Sequence, residues 1–240
     1  MCTVSFVASN GKTIITSNRD EKVIRPAAIE PQNYLINNKN IIFPKDPKAG
    51  GTWFAVDESG TILVLLNGAS AKHTVKSSYR KSRGLIVLDL ISRLSPKDFW
   101  QEINLENIEP FTIILFQDNE LFQLQWNGKD KDCITLDSKK NHVWSSVTLY
   151  PKEIRENRTN WFRSFLSQNF GTNAIVSETE MLHFHRHTEE ENQENGLVIN
   201  RNNELKTVSI TQSVTEMNKV AILHCDLIAN KNSETSFIII

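Results

Sequence analysis

The dipeptide Asn10-Gly11 sits between two apolar, β-branched runs, Val4-Ser5-Phe6-Val7 and Thr13-Ile14-Ile15-Thr16. Asn-Gly is the strongest short-range signal for a two-residue hairpin turn, so residues 1–21 are expected to fold as an antiparallel pair. That pairing returns residues 18–20 toward Cys2. Cys2 is small enough for the initiator Met1 to be removed, which would leave a thiol and an α-amine titrating near about 8 on one residue. Nucleophile and base would then need no separate histidine.

Downstream, residues 25–40 read as loop with one short strand at 34–36, and Ile41-Ile42-Phe43 as a brief apolar segment ended by Pro44. Gly50-Gly51 frees the backbone before Trp53, for a tight turn or for close approach to a ligand. Residues 52–56 and 61–67 form a second hairpin. The unbroken run Ile62-Leu63-Val64-Leu65-Leu66 belongs in the centre of stacked layers, with Asn67 at its end. A largely apolar, buried helix is expected over 77–94, and another from the N-cap Ser95 and Pro96 to about residue 103. A third hairpin (111–116 and 121–126), strands at 133–136 and 143–146, and a helix at 151–168 follow. The capping box Ser177–Glu180 opens the last helix. The acidic run 189–196 reads as an exposed, mobile loop, and 207–214, 219–229 and 235–240 as three final strands. Hairpins, helices, hairpins, helices and strands in that order predict α+β with antiparallel sheets.

The 240 residues, 39% hydrophobic and without an apparent linker, suit one domain spanning 1–240. A formal net charge of -1 argues against a nonspecific grip on nucleic acid or an anionic membrane. The sequence shows no signal core and no apolar run long enough to span a bilayer, so the expectation is a soluble, cytoplasmic protein. Cys2, Cys133 and Cys225 fit neither a disulfide framework nor a zinc site.

Several short motifs occur in a characteristic order: Met1-Cys2, Ser17-Asn18-Arg19-Asp20-Glu21, Gly50-Gly51-Thr52-Trp53-Phe54, Asn67 and Ser82-Arg83-Gly84. On these the chain resembles the NRDE family of transport and Golgi organisation proteins, closely over residues 1–90 and more loosely to the end. The resemblance implies a four-layer αββα sandwich similar to the cysteine N-terminal-nucleophile hydrolases, which include penicillin V acylase and bile salt hydrolase. It implies two functions. One is hydrolysis of a linear amide C–N bond. The other, from animal members linked to haem trafficking and lipid homeostasis, is noncatalytic carriage of haem or a lipid-like ligand, with no resident cofactor.

The resemblance gives Cys2 the nucleophile's role, Asp20 that of orienting the nucleophile and its amine, and Asn67 that of an oxyanion donor. Arg19 is a further catalytic candidate, although alternation along the strand sets it apart from Asp20. Asn18, Gly51 and Trp53 are candidate ligand contacts. Three positions depart from the pattern of relatives: Ser17 and Val208 where arginine is usual, and Ser146 where asparagine is usual. For each candidate a structural role competes: Cys2 as a small buried hydrophobe, Asn18 and Asp20 as strand-end turn formers, Asn67 as a turn residue before Gly68. His183 and His187, four apart, share a helix face that permits metal or haem ligation, with an exposed polar face the simpler reading. His224-Cys225-Asp226 cannot converge on one strand, and there a core Cys225 with partly exposed neighbours is expected.

Overall fold

The computed structural model describes residues 3–170 and 175–239. β1 (Thr3–Ser9) and β2 (Lys12–Lys22) form the expected hairpin, and Asn10 and Gly11 both take positive φ, 49° and 76°, as a two-residue turn requires. The pair ends with Thr3 opposite Asn18. β2 is flanked on its other side by β12 (Leu205–Glu216), with β13 (Lys219–Asp226) and β14 (Lys231–Ile238) beyond. β10 (His142–Ser145) closes the edge beside β1, and β11 (Asn200–Arg201) pairs with β12.

The second sheet is an antiparallel meander: β3 (Ile29–Ile36), β4 (Lys39–Lys45), β5 (Phe54–Asp57), β6 (Ile62–Asn67), β7 (Phe111–Gln117), β8 (Glu120–Trp126) and β9 (Lys131–Leu136). Phe6 and Ile15 of the first sheet join Leu63, Ile113 and Phe122 of the second in a core between the sheets. α1 (Arg83–Ile91) and α2 (Pro96–Glu102) cover the second sheet, and their Ile86, Leu90 and Trp100 extend that core. α3 (Lys152–Phe170) and α4 (Glu178–His187) cover the first sheet, where Phe162, Met181 and Phe184 pack on Val7 and Ile14. The order of layers is therefore helices, sheet, sheet, helices, the expected αββα sandwich.

Several local expectations are corrected. The strand expected at 34–36 begins already at Ile29, so residues 29–33 are strand rather than loop, and Asn37 and Asn38, with φ of 52° and 62°, make a second tight turn into β4. Pro44 lies inside β4 instead of ending an apolar segment. The β4–β5 pairing covers only Ile41 and Ile42, and a register irregularity separates the β3 partners of Phe43 and Lys45, so no ladder donor is missed. α1 starts at 83, not 77. The preceding segment is held extended, with the Arg80 amide donating to the Asn107 carbonyl (2.9 Å) and Ser82 at ψ 146°. α1 also stops at Ile91, leaving Leu94 98% exposed. β13 ends at Asp226, whose Oδ1 accepts from the amides of Ile228 (2.9 Å) and Ala229 (2.8 Å) and turns the chain. The run 189–196 is a hydrogen-bonded turn and not a loose loop: Gly196 N donates to Asn192 O at 2.7 Å, and the Arg158 guanidinium holds the Asn195 and Gly196 carbonyls.

Candidate functional site

Alternation along β2 divides the motif Asn18-Arg19-Asp20 between the two faces of its sheet. Asn18 faces the helices and is completely buried. Its Nδ2 donates to the carbonyls of His185 (3.0 Å) and Leu197 (2.8 Å), and its Oδ1 accepts from His185 Nδ1. With Nδ1 protonated, His185 Nε2 must accept, and it takes the Ser5 hydroxyl at 2.7 Å. Burial first, and then the charge of Arg158, push the His185 pKa from 6.5 down to about 3, so the ring is neutral. Asn18, expected as a ligand contact, instead fastens α4 to β2.

Asp20, one strand step beyond Arg19, is also buried. Its Oδ2 accepts from Tyr150 Oη at 2.5 Å and its Oδ1 from Thr207 Oγ1 at 2.6 Å, so both oxygens have a donor. The Arg158 guanidinium lies over the Tyr150 ring, 3.6 Å from its centroid. Arg158 is itself fully buried, and its Nη1 donates to Thr3 Oγ1 at 2.5 Å. Asp20, Tyr150, Arg158 and Thr3 thus form a connected polar group at the chain's first described residue. Cys2 lies outside the described residues.

Arg19 faces the other way, between the sheets. Its guanidinium stacks on Trp53, 4.1 Å from the ring centroid, and stands 3.4 Å from Asp46 Oδ2 and 3.7 Å from Glu21 Oε2. Asp46 is bound more closely by Arg25 (2.5 Å) and by the amides of Lys48 and Ala49. Although burial opposes it, these partners hold the Asp46 carboxyl below its ordinary pKa.

Arg19, Gly51, Trp53 and Asn67 all line one cleft of about 400 Å³, together with Ser82, Arg83 and Gly84 at the start of α1. Asn18 and Asp20 are absent from its wall. Of the residues expected to act together, Arg19 and Asn67 line this cleft, whereas Asp20 reaches Tyr150 and Thr207 on the other face of β2. Gly51 does serve a close approach, but to protein: a Cβ there would collide with the backbone of Gly84, whose carbonyl accepts from Thr52 N at 3.1 Å. Asn67 ends β6, its side-chain amide makes no hydrogen bond to the described residues, and its carbonyl accepts from Ser146 Oγ at 3.0 Å.

A smaller cavity of about 170 Å³ lies on the far side of Arg19, with Val208, Ser209 and His224 in its wall. His224 is buried rather than partly exposed, correcting the expectation. Its Nδ1 lies 2.9 Å from Thr211 Oγ1, and its pKa falls to about 4, chiefly through burial. Val208 occupies a bulge between Thr207 and Ser209, which pair with Asp20 and Arg19. His183 and His187 are exposed with rings 4.7 Å apart, and His187 Nδ1 is 2.8 Å from Glu190. Among the described residues no three His, Cys, Asp or Glu side chains cluster as metal ligands, and no helix is long and apolar enough to cross a membrane.

Sequence reasoning missed Tyr150, Arg158 and His185. Arg158 carried a signal: it lies four residues before Phe162, on the face that α3 turns to the sheet.

The family model for Transport and Golgi organisation 2 matches residues 1–227. The chain belongs to the Transport and Golgi organisation 2 family. None of the curated proteins matches its sequence. Among solved structures, the Caenorhabditis elegans ortholog of N-acylethanolamine-hydrolyzing acid amidase is similar at 12% identity and TM-score 0.62, covering 88% of this chain and 92% of that one. A variant of conjugated bile acid hydrolase from Clostridium perfringens is similar at 10% identity and TM-score 0.57, covering 99% of this chain and 97% of that one. At these identities the likeness is one of fold. This member of the Transport and Golgi organisation 2 family has the N-terminal-nucleophile hydrolase fold.

Proposed function

We propose that this chain is a cytoplasmic hydrolase of linear amides that uses Cys2 as its nucleophile. The observation that carries the reading is the polar group that ends at Thr3: the Asp20 carboxylate with two donors is linked through Tyr150 and the buried Arg158 guanidinium to the residue that follows Cys2 in the sequence. The fold shared with two amide hydrolases supports it. After removal of Met1, Cys2 Sγ attacks the amide carbonyl carbon and forms a thioester as the C–N bond breaks. The α-amine carries the thiol proton to the leaving nitrogen, and water then hydrolyses the thioester. Asp20 fixes the amine, and the Asn67 amide, free of described partners, stabilises the oxyanion. Arg19 and Trp53 shape the cleft that holds the substrate.

Intact-mass measurement with iodoacetamide labelling tests this. The expected result is loss of Met1 and labelling at Cys2 that linear amides slow in proportion to their concentration. Retained Met1 would refute the mechanism, because an acylated amine cannot act as the base.

A second reading, a carrier of haem or of a lipid-like ligand in the same cleft, is favoured by the departures at Ser146 and Val208. The Ser146 hydroxyl is engaged by the Asn67 carbonyl and Val208 is aliphatic, so neither adds an amide or guanidinium donor to the site. A Soret band that survives Cys2→Ala and tracks protein concentration would select haem carriage over hydrolysis.

A further inference from the structure

We infer that a second cavity, the one lined by Arg155 of α3, is a subsite for an oxyanion, so that the amide proposed above carries a carboxylate or a phosphate ester on one arm. The inference deepens that reading and rests on it. The cavity, of about 250 Å³, is walled by residues of β6, β8, β10 and α3, and it shares Asn67 with the cleft that holds Arg19 and Trp53. Ser145 in its wall is the strand partner of Thr3, the residue that follows Cys2 in the sequence. A ligand whose carbonyl meets the Asn67 amide can therefore extend one arm into the cleft and the other into this cavity.

Among the described residues that line the cavity, Arg155 alone carries a charge. It is partly buried, its Nε is buried without a partner, and no hydrogen bond or ion pair joins its guanidinium to a described residue. The arginines of the cleft are matched by contrast: Arg25 lies 2.5 Å and Arg19 3.4 Å from Asp46, and Arg83 lies 3.0 Å from Glu109. Drawing a guanidinium partly out of water costs free energy that an anionic partner normally offsets. The carboxylates nearest on α3 do not offset it. Glu153 is exposed and Glu156 lies 3.6 Å from Lys152, and residues one or two apart on a helix do not face each other.

Neutral donors surround this cation. Trp144 Nε1 donates to Gln123 Oε1 at 2.8 Å, which fixes that amide and leaves its Nε2–H groups to donate elsewhere. The Asn67 amide and the Ser145 hydroxyl, in the same wall, make no hydrogen bond to a described residue. Gln125 donates to Thr112 at 3.2 Å and keeps its Oε1 as an acceptor for an N–H of the ligand. A forked guanidinium, neutral donors and a wall without a described carboxylate together select an oxyanion, which arginine grips through two parallel hydrogen bonds.

The test uses the full-length Cys2→Ala chain, which cannot turn over a ligand, and isothermal titration calorimetry. N-benzoylglycinate is compared with neutral N-benzoylglycinamide, and benzamidoethyl phosphate with neutral benzamidoethanol. At least one anion should bind about tenfold more tightly than its neutral counterpart, and the pair with the larger ratio distinguishes a carboxylate from a phosphate ester. Arg155→Gln should bring the two affinities of that pair together while leaving the neutral compound's affinity unchanged; Arg155→Lys, which keeps the charge without the fork, should retain part of the preference. Gln123→Glu keeps the acceptor for Trp144 and puts a carboxylate beside Arg155, so it too should abolish the preference and serves if Arg155→Gln does not fold. A preference that survives either folded variant, equal affinities in both pairs, or no saturable binding of either anion at millimolar concentration would overturn the subsite. Arg155-dependent anion binding without acylation of Cys2 in the native chain would keep the subsite and refute hydrolysis; acylation by amides irrespective of their charge would do the reverse.

Discussion

Replacing His185 with glutamine should remove much of this protein's sensitivity to mild acid. His185 is fully buried, donates to Asn18 and accepts from Ser5, and its pKa is pushed from 6.5 to about 3. Because the folded-state pKa is depressed, the unfolded chain binds a proton there before the folded one does. The stability this neutral ring contributes is fully present above about pH 6.5 and is lost as pH falls toward the folded value of about 3. Between about pH 7.5 and about pH 5 the loss from this one group is about 2 kcal/mol. Urea unfolding across that range measures it: the wild-type midpoint should fall with acid, and His185→Gln should show a slope shallower by nearly one proton. His224, lowered to about 4, contributes in the same direction, so the comparison is with the variant's slope and not with a flat line. Identical slopes in the two proteins would refute a neutral, buried His185.

Other perturbations separate local causes. Gly51→Ala should cost more than about 2 kcal/mol by thermal or urea unfolding, because the new Cβ meets the Gly84 backbone, which is not the yielding end of a side chain. Gly11→Ala, with nothing within 4 Å but φ of 76°, should cost only about 1 kcal/mol through backbone strain. Arg158→Met leaves the Thr3 hydroxyl and the Asn195 and Gly196 carbonyls without this donor and should cost about 3 kcal/mol by urea unfolding; a loss under about 1 kcal/mol would show that the network at Thr3 is not a unit. Tyr150→Phe removes one donor from Asp20, should cost about 1 to 2 kcal/mol, and should slow labelling of Cys2.

What was legible in the sequence was whatever local chemistry dictates. Asn10-Gly11 fixed a turn, and Ser177 and Glu180 made the expected capping box, with Ser177 Oγ accepting from Glu180 N at 3.2 Å. The ordered motifs Gly51, Trp53, Asn67 and Ser82-Arg83-Gly84 do gather at one cleft. Which face of β2 would meet that cleft was not legible, because Asn18, Arg19 and Asp20 are all polar and all buried, and no hydrophobic alternation marks inside from outside. Tyr150 and Arg158 were hidden for a different reason. Each reaches Asp20 or Thr3 across more than a hundred residues of chain, and only the paired sheets bring them together.

The central claim concerns Cys2, and trapping its acyl intermediate tests it most directly. The other two thiols provide an internal control: burial raises the pKa of both Cys133 and Cys225, which disfavours their thiolates. Brief treatment with p-nitrophenyl acetate, followed by mass spectrometry of the intact chain and of its N-terminal peptide, should find Met1 absent and a single acetyl on Cys2 that decays in water and is missing from Cys2→Ala. Acetyl found only on Cys133, or an unmodified Cys2 still preceded by Met1, would contradict the account.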